Sequence, residues 1–99
     1  GGIRISDPAA DLGIAVCLAS SFRNLKLPRE MVVVGEVGLT GEVRGVSRIE
    51  ARIAEAGKIG FKKMILPKNN FKEVRRVTNG LQLYFVSSVQ EALQLLWNM

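Results

Sequence analysis

The sequence predicts a layered α+β domain in which helices pack against a mixed β-sheet. Strand-like and helix-like segments alternate along the 99 residues, and this alternation requires both hairpin and crossover connections. The predicted order is strand, helix, strand, strand, helix, strand, short helix, strand, helix. The most patterned stretch, Val32–Val46, has an apolar β-branched run, a turn bracketed by Gly38 and Gly41, and a second strand-like run, which is typical of a hairpin.

Composition limits the chain to one globular domain and excludes several classes of function. With 47% apolar residues, a chain of this length buries roughly two-thirds of its unfolded surface. A single cysteine cannot form an internal disulfide, and the absence of histidine removes the commonest metal ligand and general base. We therefore expect no metal site. Apolar runs are too short for a membrane span, no signal peptide is recognisable, and we expect no membrane partner.

The chain is basic, with 14 Lys and Arg against 9 Asp and Glu, a net charge of +5 and a pI near 9.9. Such an excess favours a polyanionic partner such as nucleic acid. A small basic domain without any nucleic-acid role is the alternative that charge leaves open.

The first part of the chain predicts a strand and a core helix. Residues Gly1–Ser6 alternate like a strand and begin abruptly, so we expect the chain to start inside a larger protein. Asp7 is the predicted N-cap of a helix with Pro8 in its first turn, which runs to about Phe22 or Arg23. Apolar residues cover almost its whole circumference, which predicts burial on most sides.

Two capping boxes predict the later helices. Ser47 and Glu50 would open a helix over about Arg48–Ala56, ended by Gly57, and Ser88 with Glu91 would open the last helix. The predicted packing residues of that last helix are Ala92, Leu93, Leu96 and Trp97.

Two strands and a short helix are predicted between these helices. The strands are Met64–Leu66, closed by Pro67, and Leu81–Val86. Asn70 is the predicted cap of a short helix from Phe71 to about Val77, ended by Thr78-Asn79-Gly80.

The glycines of Gly35–Gly41 do not form a phosphate-binding loop. A P-loop needs a Lys-Ser or Lys-Thr pair after its glycines, and none follows here. Strand patterning on both sides indicates a structural hairpin instead.

Several segments resemble the proteolytic domain of Lon proteases. They are DPAA before the first helix, GEV with Leu39 and Gly41 in the hairpin, the run from Ile49 to Ile53, and GFKKMILPKNN, whose LPKNN is the most specific. The stretches GGIRISDPAADLGIA, VVVGEVGLTGEVRGVSRIEARIAEA and GFKKMILPKNN most resemble the C-terminal Lon-like domain of the RadA/Sms DNA-repair and recombination family. The resemblance covers most of the chain and implies a ribosomal protein S5 domain 2-like fold over residues 1–99.

The same resemblance implies that the peptidase residues are lost. Lon peptidases use a serine activated by a neutral lysine. Here the serine position is Ala9 and the lysine position is Arg52, and arginine cannot be deprotonated in proteins. Neighbouring residues do not replace them, because Ala10 is equally inert and Ser6 is better explained as a strand-end or capping residue. A residual Ser-Lys-type peptidase remains the enzymatic alternative.

Basic residues form two groups that could contact DNA phosphates without reading sequence. Arg44, Arg48 and Arg52 lie at the end of the hairpin and on the following helix, with Arg48 and Arg52 one turn apart. The second group is Lys62, Lys63, Lys68 and Lys72, with Arg75 and Arg76. Solvated surface, or pairing with residues such as Glu42 and Glu55, is the alternative for both groups.

The resemblance implies a non-proteolytic domain that serves as an oligomerisation scaffold and DNA-interaction platform. The parent protein would be a DNA-dependent ATPase of DNA repair and homologous recombination, with ATP and zinc bound by other domains and a ring, expected to be hexameric. Its location would be the bacterial cytoplasm, or an organelle if the source is a plant. A protein-interaction scaffold without direct DNA contact is the alternative.

Overall fold

Three parallel strands form the centre of the domain in the computed structural model, which describes residues 7–74 and 80–99. The predicted strand over Gly1–Ser6 and the predicted helix end near Val77 lie outside the described residues. The elements in chain order are a 3-10 helix (Pro8–Ala10), α1 (Asp11–Phe22), β1 (Met31–Val33), β2 (Glu36–Val37), β3 (Val43–Arg44), α2 (Ile49–Ile59), β4 (Lys63–Pro67), a second 3-10 helix (Lys68–Glu73), β5 (Gln82–Val86) and α3 (Val89–Trp97).

The parallel sheet has the order β1-β4-β5, with Val32 opposite Met64 and Ile65 opposite Tyr84. Strands β2 and β3 form a separate antiparallel pair. The predicted fold class is confirmed, since parallel and antiparallel pairings and packed helices are all present. The parallel and the antiparallel pairings occur in two separate sheets.

The structure corrects the partner of the first apolar run. Val32–Val34 was predicted to be one arm of the hairpin, yet β1 is the half-buried edge strand of the parallel sheet. The N–H of Val34 donates to the carbonyl of Ile65 (2.9 Å), and the next N–H, of Gly35, donates to Ala9 (2.8 Å). The chain leaves the sheet at this glycine, and the hairpin therefore begins only at Glu36.

Strand β4 separates two hydrophobic cores. Met64 and Leu66 face one core with Ile49 and Ile53 of α2, and the alternate residue Ile65 faces the other. That second core contains Leu12, Val16, Val43, Val86, Ala92 and Leu96. Since side chains alternate along a strand, the domain is a helix layer, a sheet and a second helix layer made of α1 and α3.

Helix α1 is less buried than its sequence predicts. Its buried residues are Leu12, Val16 and Ser20, spaced four apart on one stripe. On the opposite side Ile14, Leu18 and Phe22 are 53%, 59% and 90% exposed. Apolar residues around the whole circumference of a helix are typical of burial on all sides. Within residues 7–74 and 80–99, however, other parts of the chain cover only one face of α1. Separately, no described helix is both long and apolar enough to cross a membrane.

The two capping predictions have different outcomes. Ser88 caps α3 as predicted, because its hydroxyl accepts from the N–H of Glu91 (3.0 Å). Ser47 does not cap α2: the N-cap residue is Arg48, in a left-handed conformation (φ +57°), with no side-chain cap bond. The helix continues past Gly57 and ends at Gly60 (φ +109°), where a residue lacking Cβ adopts the left-handed region without strain.

Asn70 is a buried tertiary link rather than the predicted helix cap. The 3-10 helix begins two residues before it, at Lys68. The Asn70 Oδ1 accepts from the N–H of Val46 (2.9 Å), and its Nδ2 donates to the carbonyl of Val46 (2.9 Å) and to Glu73 (2.7 Å). This side chain satisfies both backbone groups of a buried residue just after β3, and we call the pair the Val46–Asn70 clamp.

We expect Asn70→Ala to lower the free energy of unfolding by about 2–4 kcal/mol, because it leaves one buried donor and one buried acceptor without a partner. Denaturant unfolding followed by circular dichroism measures the change. The matched control is Asn69→Ala at the exposed neighbouring position, expected to change stability by about 0.5 kcal/mol or less. Equal losses in the two variants would contradict a specific role for the clamp.

Candidate functional site

Ala9, the residue that the resemblance aligns with a peptidase nucleophile, is buried. Ala9 lies in the first 3-10 helix and belongs to the same core cluster as Ile49 and Ile53 of α2. Its carbonyl accepts from Gly35, while its own N–H donates to the carboxylate of Asp7 (3.0 Å). The backbone is thus fixed by tertiary contacts, and the methyl group offers no nucleophile.

Arg52 reaches from α2 to the residue that caps this 3-10 helix. Its Nη1 donates to Asp7 Oδ2 (2.9 Å), and its Nη2 to Oδ1 (3.4 Å). The third donor, Nε, binds the carbonyl of Ser47 (2.8 Å). The guanidinium therefore joins the start of α1 to α2 in a two-pronged ion pair, a geometry that a lysine cannot reproduce.

The electrostatics of this pair favour the charged form of the Asp7 carboxyl. The hydrogen bond from Arg52 lowers the pKa of Asp7, and the N–H of Ala9 lowers it further. A cavity of about 220 Å³ beside the pair is lined by Asp7, Ala9, Ala10, Val33, Val34 and Arg52. A carboxylate with a lowered pKa is a weak base, and none of the other lining side chains can act as a nucleophile.

Sequence reasoning missed the second role of Asp7. It identified the residue as an N-cap, which the structure confirms for the 3-10 helix, but did not pair it with Arg52. The two are 45 residues apart. The available signal was the resemblance itself, because it places Arg52 opposite Ala9, and Asp7 precedes Ala9 by two residues.

Four of the predicted basic residues lie around the Val46–Asn70 clamp. Arg44 and Arg48 come two residues before and after Val46 along the chain, and Lys68 and Lys72 two residues before and after Asn70. All four are exposed. Because the clamp holds the two segments side by side, the backbone positions of these four exposed cations lie in one region of the molecule, which we call the clamp surface.

One member of the clamp surface is neutralised locally. Arg44 Nη2 lies 3.1 Å from Glu42 Oε2. The hydroxyl of Thr40 and this guanidinium help to lower the pKa of Glu42 to about 2, so the carboxylate is charged at neutral pH. Within the described ranges, Arg48, Lys68 and Lys72 form no ion pair with an acidic side chain.

The remaining predicted basic residues lie elsewhere. Lys62 and Lys63 are at the opposite end of β4, where both backbone N–H groups donate to the carbonyl of Glu30 (2.8 and 3.1 Å). At about 3.3 Å per residue the two ends of this strand are about 13 Å apart. Arg52 and Arg48 both line a groove between α2 and β1, but the guanidinium of Arg52 is held by the carboxylate of Asp7. Arg75 and Arg76 lie outside the described residues.

Groups of side chains that could bind a metal ion are absent from the part of the chain that the structure describes. Within residues 7–74 and 80–99, no cluster of three or more Cys, Asp or Glu side chains could hold a metal ion. Cys17 is exposed on α1.

We expect the carboxyl pKa of Asp7 to rise toward its ordinary value of 3.8 in Arg52→Gln, because the principal hydrogen bond is lost. Carbon-detected NMR titration of the carboxyl group measures this. Since the folded-state pKa is depressed, the pair stabilises the fold above pH 3.8 and loses this effect as pH falls through the folded pKa. The variant should show a smaller loss of stability over that acidic range, and an unchanged Asp7 pKa would contradict the pairing.

Comparison with known proteins identifies the family of this chain. The family model for the Lon protease (S16) C-terminal proteolytic domain matches residues 1–98. The chain is 51% identical over 94 residues to the DNA repair protein RadA of Halalkalibacterium halodurans and 47% identical over 94 residues to that of Bacillus subtilis. The RadA of Aquifex aeolicus is 40% identical over 97 residues.

These matches cover 95–98% of the chain but only 20–21% of each relative. The chain therefore spans about a fifth of the length of these relatives. The match to the family model extends over nearly every residue, and the structure has the mixed α/β architecture that the resemblance implied. The chain belongs to the family of Lon C-terminal proteolytic domains, and it is similar to about a fifth of the length of these DNA repair proteins RadA.

Proposed function

We propose that this chain is a non-proteolytic Lon-like domain that acts as an assembly scaffold and DNA-interaction platform within a RadA-type protein. The observation that carries the proposal is the ion pair between Arg52 and Asp7 beside Ala9. It occupies the position of a peptidase dyad with a permanent cation and an engaged carboxylate. Such a pair holds two elements together and has no means of cleaving a peptide bond.

Asp7 adds an electrostatic barrier to peptidase chemistry. A lysine that serves as a general base must be neutral, and a nearby carboxylate favours the charged form instead. Even with lysine at position 52, the charge of Asp7 would hold its pKa high. The site is thus arranged for a charged pair.

We expect the chain to leave an unfolded fluorescent substrate uncleaved, and Ala9→Ser combined with Arg52→Lys to leave it uncleaved as well while Asp7 is present. Peptide release over an extended incubation measures both. Ser6→Ala is the control for a displaced nucleophile. Cleavage that persists through purification and disappears in Ser6→Ala would contradict the proposal.

Support for DNA contact comes from the clamp surface and from the relatives. Three of its four cations have no acidic partner in the described ranges, the chain has a net charge of +5, and the relatives are DNA repair proteins by name. Exposed Lys and Arg side chains bind phosphates irrespective of base sequence. The expected interaction is therefore salt-sensitive and independent of sequence.

We expect Lys68→Gln with Lys72→Gln to weaken binding to duplex DNA and to reduce the slope of log K against log salt by about 1.8, since each lost phosphate contact contributes about 0.9. Fluorescence anisotropy over a salt series measures this slope.

The matched control is Lys62→Gln with Lys63→Gln, which removes the same charge from the other end of β4. This control should change the slope by much less. If the two pairs of substitutions change the slope equally, DNA is attracted by the overall positive charge and not by the clamp surface. If the unmodified chain does not bind DNA even at low salt, the proposal of direct DNA contact is wrong.

The wider proposal concerns the longer protein. ATP hydrolysis by a RecA-like domain, zinc binding by an N-terminal segment and assembly into a hexameric ring would belong to that protein, in a bacterial cytoplasm or a plant organelle. The matched relatives are about five times as long as this chain, which leaves room for such domains.

A second candidate function is a protein-interaction scaffold without DNA contact. It is favoured by the exposed apolar residues Ile14, Leu18 and Phe22 on α1, because contiguous apolar surface marks protein interfaces. The DNA titration above separates the two candidates.

A further inference from the structure

An apolar groove runs between α1 and the edge strand β1. It has a volume of about 530 Å³ and is lined by Gly13 and Leu18 of α1 and by Leu27, Pro28 and Met31 on the other side, among others. A Cβ at Gly13 would lie 3.5 Å from the carbonyl oxygen of Val33, an ordinary van der Waals contact, so α1 packs closely on β1 at the floor of the groove. The volume falls within the range of about 300–1,000 Å³ typical of binding clefts.

A protruding apolar side chain occurs at the tip of the β2–β3 hairpin. Leu39 is fully exposed, and the turn beneath it is fixed by the N–H of Gly38 donating to Glu42 (2.9 Å) and that of Gly41 donating to Gly38 (3.0 Å). The carboxylate of Glu42 also accepts from the Thr40 N–H (3.1 Å) and hydroxyl (2.6 Å). The tip is preorganised, so burying Leu39 would cost little additional ordering.

The charges beside the two features are of opposite sign. Three acidic residues lie in or beside the hairpin and at the start of α1, where Arg44 offsets one of them. Three basic residues and one acidic residue, Glu30, lie at and beyond the end of α1, and the first of the three, Arg23, stacks over the Trp97 ring at 4.4 Å. The acidic residues are Asp11, Glu36 and Glu42, and the basic residues are Arg23, Lys26 and Arg29.

We propose that the groove between α1 and β1 receives the hairpin tip of a second copy of this chain, with Leu39 inserted beside Leu18. The acidic hairpin of one copy then faces the basic end of α1 in the next. Because the two surfaces differ, the contact is head-to-tail, and such contacts close into rings or extend as filaments. This inference rests on the assembly role proposed above and assigns the surfaces that would perform it.

The test uses two single variants of the full-length protein that carries this chain. Leu39→Asp removes the inserted side chain, and Leu18→Glu places a charge in the groove. Each should weaken self-association about tenfold or more, as for a central interface residue. Sedimentation equilibrium measures the association, and circular dichroism establishes that these exposed positions tolerate the change.

Mixing the two variants is the decisive arm. The Leu39→Asp copy retains its groove and the Leu18→Glu copy retains its hairpin tip, so an equimolar mixture should form pairs and nothing larger. The control Ile59→Glu changes an exposed apolar residue on α2 and should leave association intact.

Each other outcome overturns the placement in a distinguishable way. A wild-type protein that stays monomeric removes the assembly role together with this inference. If neither substitution weakens self-association, the assembly role is still supported, but the groove and the hairpin tip are not the surfaces that perform it. Loss of association in Leu18→Glu alone, without recovery on mixing, assigns the groove to another part of the longer protein or to a different protein.

Discussion

The parallel pairing of β4 on both of its edges is the constraint on which the rest of the structure depends. A strand paired in parallel with both neighbours cannot be joined to either by a tight turn, so the chain must cross over on each side. The crossover from β1 carries the hairpin and α2, and the crossover to β5 begins with the second 3-10 helix. The clamp surface and the hairpin tip both lie on these crossovers.

The first consequence is that the charged pair is held by elements far apart in sequence. Arg52 lies on the β1-to-β4 crossover, and Asp7 lies before α1, which packs on the other layer. Gly35 joins the two regions, because its N–H and carbonyl bind Ala9 and Leu12 (2.8 and 2.9 Å). Where the resemblance places a nucleophile and a base, the structure holds the guanidinium of Arg52 against the carboxylate of Asp7, and this ion pair joins the start of α1 to α2.

Local signals in the sequence predicted local features correctly. The Ser88 cap, the Asp7 cap and the reversal at Gly41 each depend on residues a few positions apart, and each is present. The predicted N-cap at Ser47 was wrong. The spacing of Ser47 and Glu50 matches a capping box, but the residue before Ser47 is Val46, whose backbone is fixed by the clamp. Arg48 then turns into α2 through a left-handed conformation that no local pattern indicates.

Features that depend on distant partners could not be read from the sequence. Asn70 satisfies a residue 24 positions away, so its amide was mistaken for a cap. The hydrophobic pattern of α1 indicates two apolar faces, but the sequence does not predict which residues pack against each face. For the site, the family resemblance supplied the positions of Ala9 and Arg52, whereas the Asp7 partner and the grouping of four cations around the clamp required the fold.

In the proposed arrangement the hairpin connects the two roles. Its tip carries Leu39 for the neighbouring copy, and its last strand carries Arg44 of the clamp surface, linked through Glu42, which also fixes the turn. A copy bound at the tip and DNA bound at the clamp surface would meet through Glu42, and any effect of the first on the affinity for the second would be matched by an equal effect of the second on the first.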